Sequence, residues 1–225
     1  MAEQVPLPRL TEGYLGKQSK FDEYGLSNVS HPDPVVYMAD DQTEVEIIIG
    51  TEESTRMTTK LLSYERKQEC NDFCLVRCLG PNYCYLIRPP TAGFYKFQLY
   101  ALPSGVAGPN FIGVYNYIIY CPKTHEGVLA LPKQYPMWKE GCYLYEPLGI
   151  PKGYRGGPVH FKLSIPGAKN VQVKVGEDWN ELTCIEPGLF EGDVDLTPPY
   201  PVGTKAKVNV KFMGAKFNTL IEYTI

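Results

Sequence analysis

The sequence predicts an all-β fold built as two antiparallel β-sandwich domains in tandem, preceded by an N-terminal extended arm. Three observations carry this expectation. Apolar and polar residues alternate with a period of two in many short runs. Gly (21 residues) and Pro (20) punctuate the chain too often for long helices. A length of 225 residues, 44% of them hydrophobic, suits two sandwiches of roughly 100 residues each better than a single domain.

Residues 1–32 show no sustained period and read as the arm. His31-Pro32-Asp33-Pro34 then punctuates the chain, because each Pro drives its predecessor out of helical conformation. The first sandwich is expected over residues 33–122. Val45, Ile47 and Ile49 share one strand face. Further strands are expected over 58–63, 73–79 and 83–88. In 94–100, Tyr95, Phe97 and Leu99 face one way while Lys96 and Gln98 point away. A Gly- and Pro-rich loop (103–110) leads to a strand over 114–121. Residues 123–136 read as a linker.

The second sandwich is expected over residues 137–225, where the alternation is cleaner. Phe161, Leu163 and Ile165 face inward and His160, Lys162 and Ser164 outward; Val171, Val173 and Val175 repeat the pattern. Residues 179–185 and 189–196 flank Glu186-Pro187-Gly188, a hairpin turn by composition. Ala206, Val208, Val210 and Phe212 alternate with Lys205, Lys207, Asn209 and Lys211, and 217–225 closes the sandwich. A weak internal repeat, an alternating strand followed by a Tyr/Ile-rich strand near the end of each domain, agrees with two copies of one unit.

Composition narrows function. The net charge is −3, with both signs interspersed. No basic stripe tracks a nucleic-acid backbone, no polybasic run suits an anionic membrane, and no apolar stretch spans a bilayer. The first residues lack the pattern of a secretory signal, so the expected address is cytoplasmic. Seven Cys, an odd number, then read as free thiols rather than a disulfide framework.

Three strings carry a resemblance. They are Gly93-Phe94-Tyr95-Lys96-Phe97-Gln98-Leu99-Tyr100-Ala101-Leu102-Pro103, Gly113-Val114-Tyr115-Asn116-Tyr117-Ile118-Ile119 and Met137-Trp138-Lys139-Glu140-Gly141-Cys142-Tyr143-Leu144-Tyr145-Glu146-Pro147-Leu148. Together with the run from Val159 to Ala168 and with Phe190-Glu191-Gly192, they resemble the C-terminal region of the kyphoscoliosis peptidase and hillarin family over about residues 35–225. The resemblance implies two immunoglobulin-like modules. Members of that family typically carry a transglutaminase-like domain with a Cys-His-Asp constellation ahead of such modules. The matched stretch corresponds to the modules, so the resemblance implies no peptidase activity here. It does imply cytoskeletal and muscle partners.

The residues themselves offer no catalytic centre. A Cys-based hydrolase needs a thiolate activated by an oriented His. His31 adjoins a proline, His125 lies in the linker, and His160 sits on a polar strand face. Cys142 and Cys184 are expected in strands as small buried thiols. Cys70, Cys74, Cys78 and Cys84 cluster in sequence. Cys74 and Cys78 in one regular strand stand roughly 13 Å apart, too far for one tetrahedral ion unless a bend or bulge brings them together, so ordinary thiols are expected and zinc is the alternative. Asp40-Asp41 and Asp193/Asp195 lack the density of a calcium loop. The Gly-rich run 149–157 has no following helix to aim its amides at a phosphate. Lys205, Lys207 and Lys211 read as a solvated strand face.

The expectation is therefore a non-enzyme without cofactor or metal: a protein-interaction or scaffold protein, cytoskeletal by the implication of the resemblance. Trp138, Tyr143, Tyr145 and Trp179 are its candidate interaction residues, with the Tyr143 and Tyr145 face free to line an inter-domain crevice. The competing readings are an accessory part of a transglutaminase-like peptidase and an extracellular matrix or adhesion protein.

Overall fold

The computed structural model describes residues 5–52, 54–197 and 200–225, and the protein is all-β as expected. Its strands in chain order are β1 (Gly16–Lys17), β2 (Leu26–Asn28), β3 (Val35–Tyr37), β4 (Val45–Thr51), β5 (Thr55–Ser63), β6 (Gln68–Glu69), β7 (Cys74–Leu79), β8 (Asn82–Ile87), β9 (Gly93–Pro103) and β10 (Ile112–Cys121). They continue with β11 (Lys133–Gln134), β12 (Tyr143–Glu146), β13 (Pro158–Ser164), β14 (Asn170–Val175), β15 (Asp178–Glu181), β16 (Thr183–Glu186), β17 (Leu189–Asp195), β18 (Lys205–Lys211) and β19 (Asn218–Thr224). One helical turn, α1 (Lys20–Glu23), and two 3-10 turns, Asn71–Phe73 and Pro136–Glu140, complete the described elements.

These strands form four sheets. One runs β1-β10-β9-β5-β6, with β3 joined to β10; the others are β2-β4-β8-β7, β11-β19-β18-β14-β15 and β12-β13-β17-β16. The chain divides into two compact units. One holds the residues up to Cys74 together with Leu86–Val128, the other Leu75–Tyr85 together with Leu129–Ile225.

In the first unit, the alternation of β9 is real but its outer row is not solvated. Phe97 and Leu99 are fully buried on one face, and Lys96 (1% exposed) and Gln98 (6%) are buried on the other. The arm explains this. Lys96 Nζ donates to the Glu12 carbonyl at 2.9 Å, and Asn116 Nδ2 of the neighbouring β10 donates to the Tyr14 carbonyl at 2.9 Å. Residues 12–14 thus cover polar side chains that alternation alone assigns to water. The buried donors of Lys96 and Asn116 thereby keep partners, as an interior requires.

In the second unit, Phe161 and Leu163 of β13, Val171, Val173 and Val175 of β14, Phe190 and Val194 of β17, and Val208 and Val210 of β18 are buried. Each such side chain contributes about 1.5–3 kcal/mol on burial. The turn at Pro187–Gly188 joins β16 to β17 as composition suggests, with Gly188 at φ +84°. Residues 179–185, one strand by alternation, are two. Leu182 points inward (3% exposed) and its amide donates to the Val171 carbonyl at 2.9 Å. A Cβ at Gly192 would lie only 3.2 Å from Leu182 Cδ2, so glycine leaves the room this plug occupies. The chain crosses there from the sheet edged by β15 to the sheet edged by β16.

Candidate interaction surface

The outward face of the β12-β13-β17-β16 sheet collects aromatic and charged side chains into one row. Alternation sets which ones. Leu144, Phe161, Leu163, Phe190 and Val194 point into the core, which turns Tyr143, Tyr145, His160, Lys162, Glu191 and Asp193 outward. Register sets their order: Tyr143 lies opposite Ser164, Lys162 opposite Glu191, and His160 opposite Asp193.

The row begins with Arg77 of β7, which belongs to the same unit. Its guanidinium carbon stands 4.8 Å from the Tyr143 ring centroid, and its Nη1 donates to the Leu144 carbonyl at 3.4 Å. The Tyr143 and Tyr145 rings follow with centroids 4.8 Å apart. Lys162 Nζ lies 5.7 Å from the Tyr145 ring and 3.6 Å from a Glu191 carboxylate oxygen. His160 Nδ1 is 2.8 Å from Asp193 Oδ1, and its Nε2 is 3.9 Å from Glu191. Cation–π and ion pairs this exposed contribute little stability, typically below about 1 kcal/mol each. Their consequence is geometric, because they set the rings and charges of the row side by side.

The four residues singled out from sequence thus separate. Tyr143 and Tyr145 come together, with Tyr145 43% exposed. Trp179 lies on β15 in the other sheet of the unit, 49% exposed, with its ring 5.5 Å from Phe217 and 5.4 Å from Lys174 Nζ. Trp138 is fully buried, its indole Nε1 donating to the Val76 carbonyl, so it offers no surface. Arg77 and Glu191 join the row without having been singled out, and Asp193 joins it after being weighed only as a calcium ligand. Period-two patterning did place His160 and Lys162 outward, but the cross-strand register and the upstream Arg77 carry no local signal.

His160 and Asp193 form the imidazole–carboxylate half of a nucleophile-activating arrangement, so the thiols matter. Burial pushes Cys70 and Cys78 up to about 11 and Cys142 up to about 12, and it raises Cys121 as well. Thiols so shifted are protonated and inert near neutrality. Cys184 is exposed and donates to the Glu186 carbonyl at 3.2 Å. Among the described residues, no group of three or more His, Cys, Asp or Glu is placed to hold a metal ion. No described helix is long and apolar enough to cross a membrane.

Comparison with known proteins places the chain. It is 25% identical over 205 residues to the kyphoscoliosis peptidase of Homo sapiens and 27% identical over 194 residues to that of Mus musculus. Each alignment covers 84% of this chain and 28% of the relative, so the chain spans little more than a quarter of those proteins' length. Among solved structures, the periplasmic chaperone SfaE aligns over 87% of this chain and 98% of its own, with 13% identity and a TM-score of 0.30. That score is too low to carry a conclusion. Residues 9–132 match the KY-like, immunoglobulin-like domain family, a span that takes in the arm from residue 9 onward, the polar row beneath it and the strands β1–β10. The chain belongs to the family of KY-like immunoglobulin-like domains.

Proposed function

We propose that this chain is a non-catalytic protein-binding module, and that the outward face from Arg77 to Asp193 is its recognition surface. The carrying observation is the pair Tyr143–Tyr145, two amphipathic rings fixed between the cations Arg77 and Lys162. Rigid tyrosines that retain exposed area supply contact at low entropic cost, which is how protein surfaces anchor partners. Raised thiols support the non-catalytic part of this reading, since a Cys nucleophile needs the opposite shift. The word peptidase in the relatives' names describes those longer proteins. The finer reading is a cytoplasmic, cytoskeleton-associated scaffold; it rests on the family likeness and on exposed sheet surface.

The test places a photo-cross-linking amino acid at position 145 and, separately, at the exposed position 37 in the other unit. Irradiation in native muscle extract is expected to give protein adducts from position 145, identified by mass spectrometry as cytoskeletal. Tyr143→Ala and Lys162→Glu introduced together should abolish them. The same adducts from position 37, or adducts from 145 that survive those changes, would overturn the reading.

A further inference from the structure

We infer that the edge formed by β15 and β16 is a strand-addition site for an extended, basic, apolar-bearing peptide segment of another protein. This goes beyond the Tyr143–Tyr145 face and uses different atoms. β15 is the terminal strand of the β11-β19-β18-β14-β15 sheet, and β16 is terminal in β12-β13-β17-β16. One chain segment therefore lines an edge of each of these two sheets, switching at Leu182. In an antiparallel edge strand, every second residue aims its N–H and C=O away from the sheet, a template for another strand.

The segment's composition specifies the occupant. Residues 177–186 read Glu-Asp-Trp-Asn-Glu-Leu-Thr-Cys-Ile-Glu, four acidic residues and no Lys, Arg or His. Glu177, Asp178, Glu181 and Glu186 are all exposed. Only Glu177 has a cationic neighbour within the segment's own hairpin, Lys174 at 3.0 Å. Asp178 accepts from the Tyr200 hydroxyl and Glu181 from Asn170, both neutral, so these carboxylates keep their charge for a partner. Charge on an edge strand by itself serves to blunt it against aggregation. This one also presents Trp179 (49% exposed) and Ile185 (46%), which an added strand would cover with its own alternate apolar residues. A second copy docking edge to edge would set acid against acid, so the complementary strand is a basic one.

The test uses the full chain and a fluorescent peptide of roughly eight residues, Lys and Val in alternation, long enough for one strand. Its control replaces each Lys by Glu. The Lys peptide should bind, slow amide hydrogen exchange within residues 183–186, and bind about tenfold or more weakly to Glu181→Lys/Glu186→Lys. Tyr143→Ala/Tyr145→Ala should bind it as wild type does, which separates this site from the proposed recognition face. Equal binding of the Glu peptide would overturn the assignment. So would unchanged exchange at 183–186 in the saturated complex, or no measurable binding at all. If the double Lys variant misfolds by circular dichroism, the exchange and Glu-peptide results decide alone.

Discussion

The indole Nε1 of Trp138 donates a 2.8 Å hydrogen bond to the backbone carbonyl of Val76, 62 residues earlier in the chain. Gln134 Oε1 accepts from the amide of the same Val76 at 3.0 Å, and the Cys78 amide donates to the Cys142 carbonyl at 2.8 Å. The part of the β7–β8 hairpin over Leu75–Tyr85 is thereby stitched into the unit formed by Leu129–Ile225. Trp138 is thus a structural residue, and its polar atom is satisfied by backbone.

Trp138→Phe should keep most of the apolar packing but orphan the buried Val76 carbonyl. The expected cost is about 1–3 kcal/mol, read from urea unfolding followed by circular dichroism. Gln134→Leu orphans the Val76 amide and should cost a similar amount. Loss of less than about 0.5 kcal/mol from both would show that the hairpin is not held this way.

Lys96 leads to the opposite expectation. Its ammonium is buried, burial lowers its pKa, and it donates to the carbonyl of Glu12, an exposed residue. In Lys96→Met that carbonyl can turn to water and the desolvation cost disappears. Global stability should therefore stay within about 1 kcal/mol of wild type. Amides of residues 12–18 should exchange faster, because one tether of the arm is gone. Unchanged exchange there would contradict the tether.

A third prediction concerns acid. Glu222 is buried, which pushes its carboxyl pKa up, but the Tyr135 hydroxyl at 3.0 Å and the ammonium groups of Lys205 and Lys207 outweigh burial. The net shift is downward from 4.5. A carboxylate whose pKa is depressed by folding stabilises above its unfolded value and loses that contribution as pH falls through the folded one. Wild type should therefore exceed Glu222→Gln in stability at pH 7, with the gap closing below about pH 4.5. Parallel stability curves for the two proteins across that window would refute the assignment.

These residues mark how much was legible beforehand. Period-two alternation located β4, β9, β13, β14, β17 and β18 and the inward or outward sense of Phe161, Lys162 and their neighbours, because side-chain direction is a local property of a strand. It failed at Lys96 and Gln98, where the covering residues lie some eighty positions away. It failed at Leu182, where a strand leaves one sheet for another without breaking its pattern. The Tyr143–Tyr145 pair was readable from one strand. The flanking Arg77 and the pairing of His160 with Asp193 depend on tertiary placement and register, which no short window encodes. The burial of Trp138 depends likewise on the distant Val76.

The central claim, that the chain acts by contact rather than by covalent chemistry, meets its most direct test in the reactivity of its seven cysteines. The measurement is the alkylation rate of each thiol in the native chain from pH 5 to 10, resolved by mass spectrometry. Cys184, the exposed cysteine, should react first, at a rate rising with pH and indifferent to His160→Ala. Cys70, Cys78 and Cys142, held protonated by burial, should stay slow throughout, and Cys121, whose pKa burial raises, should lag Cys184. A thiol that reacts rapidly below pH 7 and loses that reactivity when His160 is removed would contradict the account.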